Sequence, residues 1–234
     1  MKKTFYTELA YVAGLVVLAL GVTFMEKSDF GVSMVVAPAY LIHLKVSETY
    51  SFFTFGMAEY TLQAVLLMVL VVVLRRFRLS FLFSFVTAVV YGFVLDLWML
   101  VFSHVPADTI PLRIAYYTLG MVLCSIGISM LFHTYIAPEV YELFVKEASS
   151  KSGIEIHKFK TGYDICSCTV AVVLSFAFYG FGVFRGVKWG TFLCALINGT
   201  MIGMCSRFLE QKFEFRDALK LRKFFQGSGP QAEN

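Results

Sequence analysis

Six stretches of this chain are apolar for long enough to cross about 30 Å of hydrocarbon as helices of roughly 20 residues. They lie at about 7–26, 54–74, 80–103, 112–133, 164–184 and 189–208. A water-facing globule cannot be built around them. Of the 234 residues 58% are hydrophobic and 15% charged, and the mean hydropathy is +0.73, so polar side chains are too scarce to cover a solvated surface. Inside a bilayer every backbone N–H and C=O has to find a partner within the protein, which helices provide. The expected fold is an all-α polytopic membrane protein with six transmembrane helices.

The first span repeats. Gly14 and Gly21, in a stretch opened by Tyr11, are echoed by Gly120 and Gly127 in a stretch opened by Tyr117, and each copy is followed by two further spans. Three crossings per copy turn the second copy upside down relative to the first, the pattern of inverted-repeat transporters. The implied division is a first repeat over residues 1–106, a second, inverted one over 107–210, and a tail over 211–234. Each copy also holds a short segment after its first span: Met34 to Leu44 with Pro38, and Ala137 to Lys146 with Pro138, a residue suited to a first helical turn. Both are too short to cross and are expected as re-entrant or interfacial helices. The stretch from Ala148 to Lys160 is expected as a loop.

Charge sets the orientation. Sorting the Lys and Arg residues between the two sides puts fifteen on the side of both termini and five on the other. The positive-inside rule then makes both termini cytoplasmic, in a bacterial cell membrane. The first span is too long for a cleaved signal peptide and is expected to stay in the mature protein. From Arg207 to Phe225 phenylalanines alternate with basic residues, which reads as an amphipathic helix on the anionic inner leaflet rather than a nucleic-acid site. The segment from Gln226 to Asn234 is expected to be disordered. The five cysteines, at 124, 166, 168, 194 and 205, lie inside spans and are read as packing residues, with neither a disulfide framework nor a metal site.

An ionisable group at membrane depth is costly, so each one is a candidate ligand for a substrate. Glu59 sits early in the second span with Gln63 one turn later, preceded by Ser51 and Thr54; in the competing reading Glu59 lies near the outer interface or bonds a neighbouring helix. Asp164 holds the matching place in the second copy, although an acid in a first helical turn is also favoured by the helix dipole alone. Asp96 either faces a cavity or holds Arg113. Asn198 bonds either a substrate or another helix. A short helix beginning at Ser33 would offer free amides to an anion, while Asp29 could meet a cation; a plain cap and turn is the alternative. His43 and His133 sit near span ends, where an interfacial tip is the ordinary reading. Gly92 and Gly199 coincide when the last spans of the copies are aligned, and close helix packing is the expected role of both.

Asp29-Phe-Gly-Val-Ser33, the acids Glu59 and Asp164, and Gly190-Thr191 followed by Gly199 together resemble the YczE/YitT-like family of bacterial integral membrane proteins, over residues 5–210. The resemblance implies a duplicated polytopic architecture without implying a substrate. Phe83-Ser84 stands where the second copy has Gly-Thr, and Ala137-Pro138-Glu139 stands where the first has Gly-Val-Ser.

The function expected is a secondary carrier or facilitator for a small polar metabolite, with a site near the midplane between the repeats and Glu59, Asp164, Gln63, Asp29, Ser33, Asp96 and Asn198 as its candidate residues. Two alternatives stand beside it: the substrate-binding subunit of an energy-coupled vitamin importer, and a non-transport accessory membrane protein. No nucleophile beside a base, metal-ligand cluster or phosphate loop points to an enzyme or a cofactor. The partners expected are a small molecule, anionic lipids and a second copy in a homodimer.

Overall fold

The computed structural model describes residues 3–219. Its eight helices are α1 (Thr7–Ser28), α2 (Ala37–Ser47), α3 (Phe55–Leu74), α4 (Leu79–Val101), α5 (Ile110–Phe132), α6 (Val140–Ser152), α7 (Ile156–Tyr179) and α8 (Trp189–Lys212), flanked by two short strands, β1 (Lys3–Tyr6) and β2 (Phe213–Arg216). Six of the helices are long and apolar enough to cross a membrane, from Thr7–Ser28 to Trp189–Lys212. The order long, short, long, long occurs twice. The chain is an all-α polytopic membrane protein.

The centre is the α1–α5 pair, which has the most extensive contact in the molecule. The helices run antiparallel, because Gly14 meets Gly127 and Gly21 meets Gly120. A Cβ on Gly21 would lie 2.8 Å from the Gly120 carbonyl oxygen, and one on Gly120 would lie 2.7 Å from that of Gly21. Only residues without side chains let two backbones come this close. Leu15, Leu18, Ala19, Val22 and Met25 of α1 bury themselves with Cys124 and Leu131 of α5 around this seam.

The other long helices lean on that pair. α4 packs on α1, where the Trp98 indole donates to the Val16 carbonyl at 3.1 Å, and α8 packs on α5, where Ser129 donates to the Ile202 carbonyl at 2.9 Å. The short helices bridge the two halves: α2 lies against α7 as well as α3, and α6 against α3 as well as α7.

One pairing breaks the correspondence. α3 and α4 are tightly packed at Gly56 and Gly92, where a Cβ on Gly92 would lie 2.8 Å from the Gly56 carbonyl oxygen. α7 and α8 scarcely touch, and nothing lies within 4 Å of a Cβ placed on Gly199. The packing role expected of both glycines therefore holds for Gly92 and fails for Gly199, because α8 tilts onto α5 and leaves its α7-facing side open.

Other local expectations are corrected as well. α2 starts at Ala37 rather than Ser33, with Pro38 in its first turn; the Ser33 carbonyl accepts from the amides of Val36 and Ala37 at 3.1 and 2.9 Å. Pro138 lies before α6 instead of inside its first turn, and Glu139 is the N-cap residue. The expected loop from Ala148 to Lys160 is mostly helical. α6 continues to Ser152, is ended by Gly153 at φ 69°, and α7 begins at Ile156. Glu147 on α6 also meets Arg76 at 3.5 Å and Arg78 at 3.7 Å, which ties this helix to the α3–α4 turn.

The segment after Lys212 is not the expected amphipathic helix. Phe213 to Arg216 alternates apolar and charged residues, the period of a strand, and pairs in parallel with Lys3 to Tyr6, Lys3 opposite Phe213 and Tyr6 opposite Arg216. The Phe5 ring lies 5.3 Å from Phe213 and 5.9 Å from Phe215. The pairing sets the start of α1 and the end of α8 on one face of the bundle. Asp217 to Leu219 are not helical either, and the amides of Ala218 and Leu219 donate to Glu8; the expected lipid-binding segment from residue 220 on, and the terminal stretch expected to be disordered, lie outside the described residues.

Candidate functional site

A cavity of about 250 Å³ opens between the two halves. Its apolar wall comes from the middle of three long helices: Leu18 and Val22 of α1, Cys124 and Ile128 of α5, and Cys194 to Ile202 of α8. The stretch Ser33 to Val36 before α2 closes one side, and Glu139, Tyr141 and Glu142 at the start of α6 close another. α7 adds Lys160, Thr161 and Asp164. The gap exists because α7 and α8 stand apart. It is framed by the beginnings of both short helices, where chain that is not yet helical leaves backbone groups to be satisfied.

Behind the acidic wall lies a buried polar network. Gln63 of α3 donates from Nε2 to Glu139 Oε2 at 3.1 Å and accepts at Oε1 from the Val140 amide at 3.0 Å, so one amide side chain caps α6 and holds its N-cap acid. Tyr141 donates to Glu59 Oε2 at 3.0 Å. Glu59 and Gln63 are fully buried, and Glu139 is 5% exposed. Glu59 is thus shut inside the protein and bonded to a neighbouring helix, α6, and it stands one side chain back from the cavity, behind Tyr141. Burial, aided by the charges of Glu142 and Glu59, pushes the Glu139 carboxyl well above the usual glutamate range, against the opposing hydrogen bond from Gln63. Glu142 is also raised by burial, with Lys160 opposing.

Three of the residues singled out from sequence line the cavity: Ser33, Asp164 and Asn198. Asp164 lies in the third turn of α7, because that helix starts at Ile156, so the helix-dipole explanation for an acid in a first turn does not apply. Its partner is Lys160, 3.9 Å away one turn earlier. Asn198 accepts from Ser125 at 3.3 Å and lines the cavity, so it both joins two helices and faces the space between them.

Asp29 and Asp96 are elsewhere. Asp29, in the left-handed conformation that ends α1 (φ 56°), pairs with the chain's own cations, Lys188 at 2.5 Å and Arg113 at 3.5 Å. Around it the Phe30 carbonyl accepts from the Gly190 amide and the Val32 carbonyl accepts from the Thr191 hydroxyl at 2.8 Å, fastening this turn to the start of α8. Gly31, at φ 105°, sits so close to Thr191 that a side chain has no room. Asp96 neither reaches the cavity nor holds Arg113. It accepts from Thr54 at 2.6 Å and from the Gly56 amide at 2.7 Å, capping the N-terminus of α3. His43 and His133 bond the Phe53 carbonyl and Ser206, both at 2.9 Å, outside the cavity.

Sequence reasoning passed over Glu139, Tyr141 and Glu142 as site residues. The signal was ambiguous: two acids three residues apart open a short segment flanked by spans, but an N-cap and a first helical turn are also where the helix dipole alone favours acids. Glu139 also occupies the position of Ser33 in the other copy, the very place where the two copies depart.

These features define a multi-pass membrane protein with a cavity between its helices that is lined by both apolar and ionisable residues. Residues 5–207 match the family of unknown function DUF6198, and the chain belongs to that family. No curated protein and no solved structure shows a significant match.

Proposed function

We propose that this protein is a carrier for a small polar molecule, built from two inverted repeats with the substrate site in the central cavity. One observation carries the reading: the cavity sits at the middle of α1, α5 and α8, is closed on two sides by the starts of both short helices, and is lined by ionisable groups. Ionisable groups at such depth mark substrate and ion paths, and breaks in helices near the midplane are where carriers bind their cargo. The repeat reading draws support from the seam: aligning Gly14 with Gly120 and Gly21 with Gly127 carries the Gly14–Gly127 approach onto the Gly120–Gly21 approach, as a two-fold axis would. Placement in a bacterial cytoplasmic membrane, with both termini inside, is part of the same reading, and so is the absence of catalysis.

The test uses Cys194, which lines the cavity and is 3% exposed. The other four cysteines are replaced by alanine, and the protein is treated in right-side-out and inside-out vesicles with a membrane-impermeant thiol reagent. A carrier exposes Cys194 to each side in turn, so labelling occurs in both orientations. Labelling from the outside alone overturns the carrier reading in favour of an importer's binding subunit. No labelling from either side, with the protein folded, overturns it in favour of an accessory role.

A further inference from the structure

The charges around the cavity do not balance. Glu139, Glu142 and Asp164 line it together with a single cation, Lys160. Lys160 stands 3.9 Å from Asp164 and also neighbours Glu142, so those two acids share it. Glu139 has no such partner. Its Oε2 takes the Gln63 hydrogen bond, and no described group bonds its Oε1, which is fully shielded although the residue forms part of the cavity wall. A carboxyl withdrawn from water without a matching charge keeps its proton, and an opposite charge placed beside it favours the ionised form.

The rest of the wall says what kind of charge fits. Among the described residues no three His, Cys, Asp or Glu side chains gather as a metal site, and a hard metal ion would need six or more oxygen ligands. The same cavity is lined by Leu18, Val22, Cys124, Ile128 and Ile202, which suits hydrocarbon. Tyr91 and Tyr141 also line the cavity, and aromatic rings attract ammonium. At about 250 Å³ the space falls below the range of drug-sized pockets, roughly 300–1,000 Å³.

We infer that the cavity binds a small organic monocation, with its ammonium group against Glu139 and its apolar body against α1, α5 and α8. This deepens the carrier reading by giving the class of its cargo, and it rests on that reading for the cation being transported rather than only held.

Binding is tested on the purified full-length protein in detergent, by thermal unfolding against n-butylammonium and benzylammonium beside the neutral and anionic counterparts n-butanol, benzyl alcohol and benzoate. The cations are expected to raise the melting temperature saturably, because a ligand that binds only the folded state must stabilise it, and the other probes are expected to leave it unchanged. Glu139→Gln should weaken the cation response at least tenfold. Gly199→Leu fills the cavity from α8 without touching an acid and should abolish the response, which keeps the test decisive if Glu139→Gln fails to fold. Glu155→Gln, on the exposed segment before α7, should respond like the parent protein. An equal response to alcohols or benzoate, a response retained in Gly199→Leu, or no response to any cation each overturns the inference. The outcomes separate from those of thiol labelling: cation binding with one-sided access to Cys194 leaves this inference standing and removes the carrier, whereas two-sided access without cation binding does the reverse.

Discussion

Gln63 holds more of the site together than its neutral side chain suggests. Its amide meets an acid on one side and a helix N-terminus on the other, and both partners are buried. Replacing it with leucine strands the Val140 amide and one Glu139 oxygen at once. Gln63→Leu should therefore destabilise the protein by about 2–4 kcal/mol, two unmet buried groups at about 1–3 each with some relaxation, read as a lowered melting temperature in detergent. The raised carboxyls of Glu139 and Glu142 set a pH dependence. The folded protein keeps protons that the unfolded chain has already released, so stability is greatest at low pH and falls as pH rises from the ordinary glutamate range through the raised values. Melting temperature should decline as pH rises above the ordinary glutamate range, and Glu139→Gln should flatten the decline. A melting temperature that climbs over that range in the parent and is unaltered in the variant would contradict the assignment.

Among the helices, the two matched glycines of the last spans are predicted to behave oppositely. Gly92→Val pushes a side chain into the Gly56 backbone and should cost about 1–3 kcal/mol or more, as overpacking does. Gly199→Ala meets open space and should leave the melting temperature within about 0.5 kcal/mol of the parent's in equivalent free energy. Comparing the two in one unfolding assay checks whether α7 and α8 stand apart in the folded protein. The same contrast marks what a sequence carries and what it does not. The six spans, Gly14 and Gly21 with their echoes, and a short helix in each copy were legible, because apolar length and glycine spacing are local properties of the chain. The start of α2, the extent of α6 and α7 through the polar stretch before Lys160, and the separation of α7 from α8 were not. Each of these is decided by what packs alongside. Asp96 illustrates the point: an acid in a span reads as a ligand until Thr54 and Gly56 are brought beside it from 40 residues away.

For the molecule as a whole, the bridging by the short helices makes the two halves interdependent. α2 packs against α7 and α6 against α3, so neither half encloses the cavity alone. Expressed separately, residues 1–106 and 107–219 should each be unstable, and their co-expression should restore a complex that co-purifies. Independent stability of either piece would count against this reading of the interface. The parallel pairing of β1 with β2 places the first and last described segments on one face. Reporter fusions at the N- and C-termini should accordingly score on the same side of the membrane, the cytoplasmic one by the charge count.

That strand pair also fixes an order of events during synthesis. Lys3 to Tyr6 are made before α1, yet their partners are 210 positions further on, after α8. Until Phe213 to Arg216 leave the ribosome, the early strand has an unfilled edge and Phe5 has no ring to rest on. The opening segment of the chain must wait, through the insertion of all six spans, for the segment that completes it.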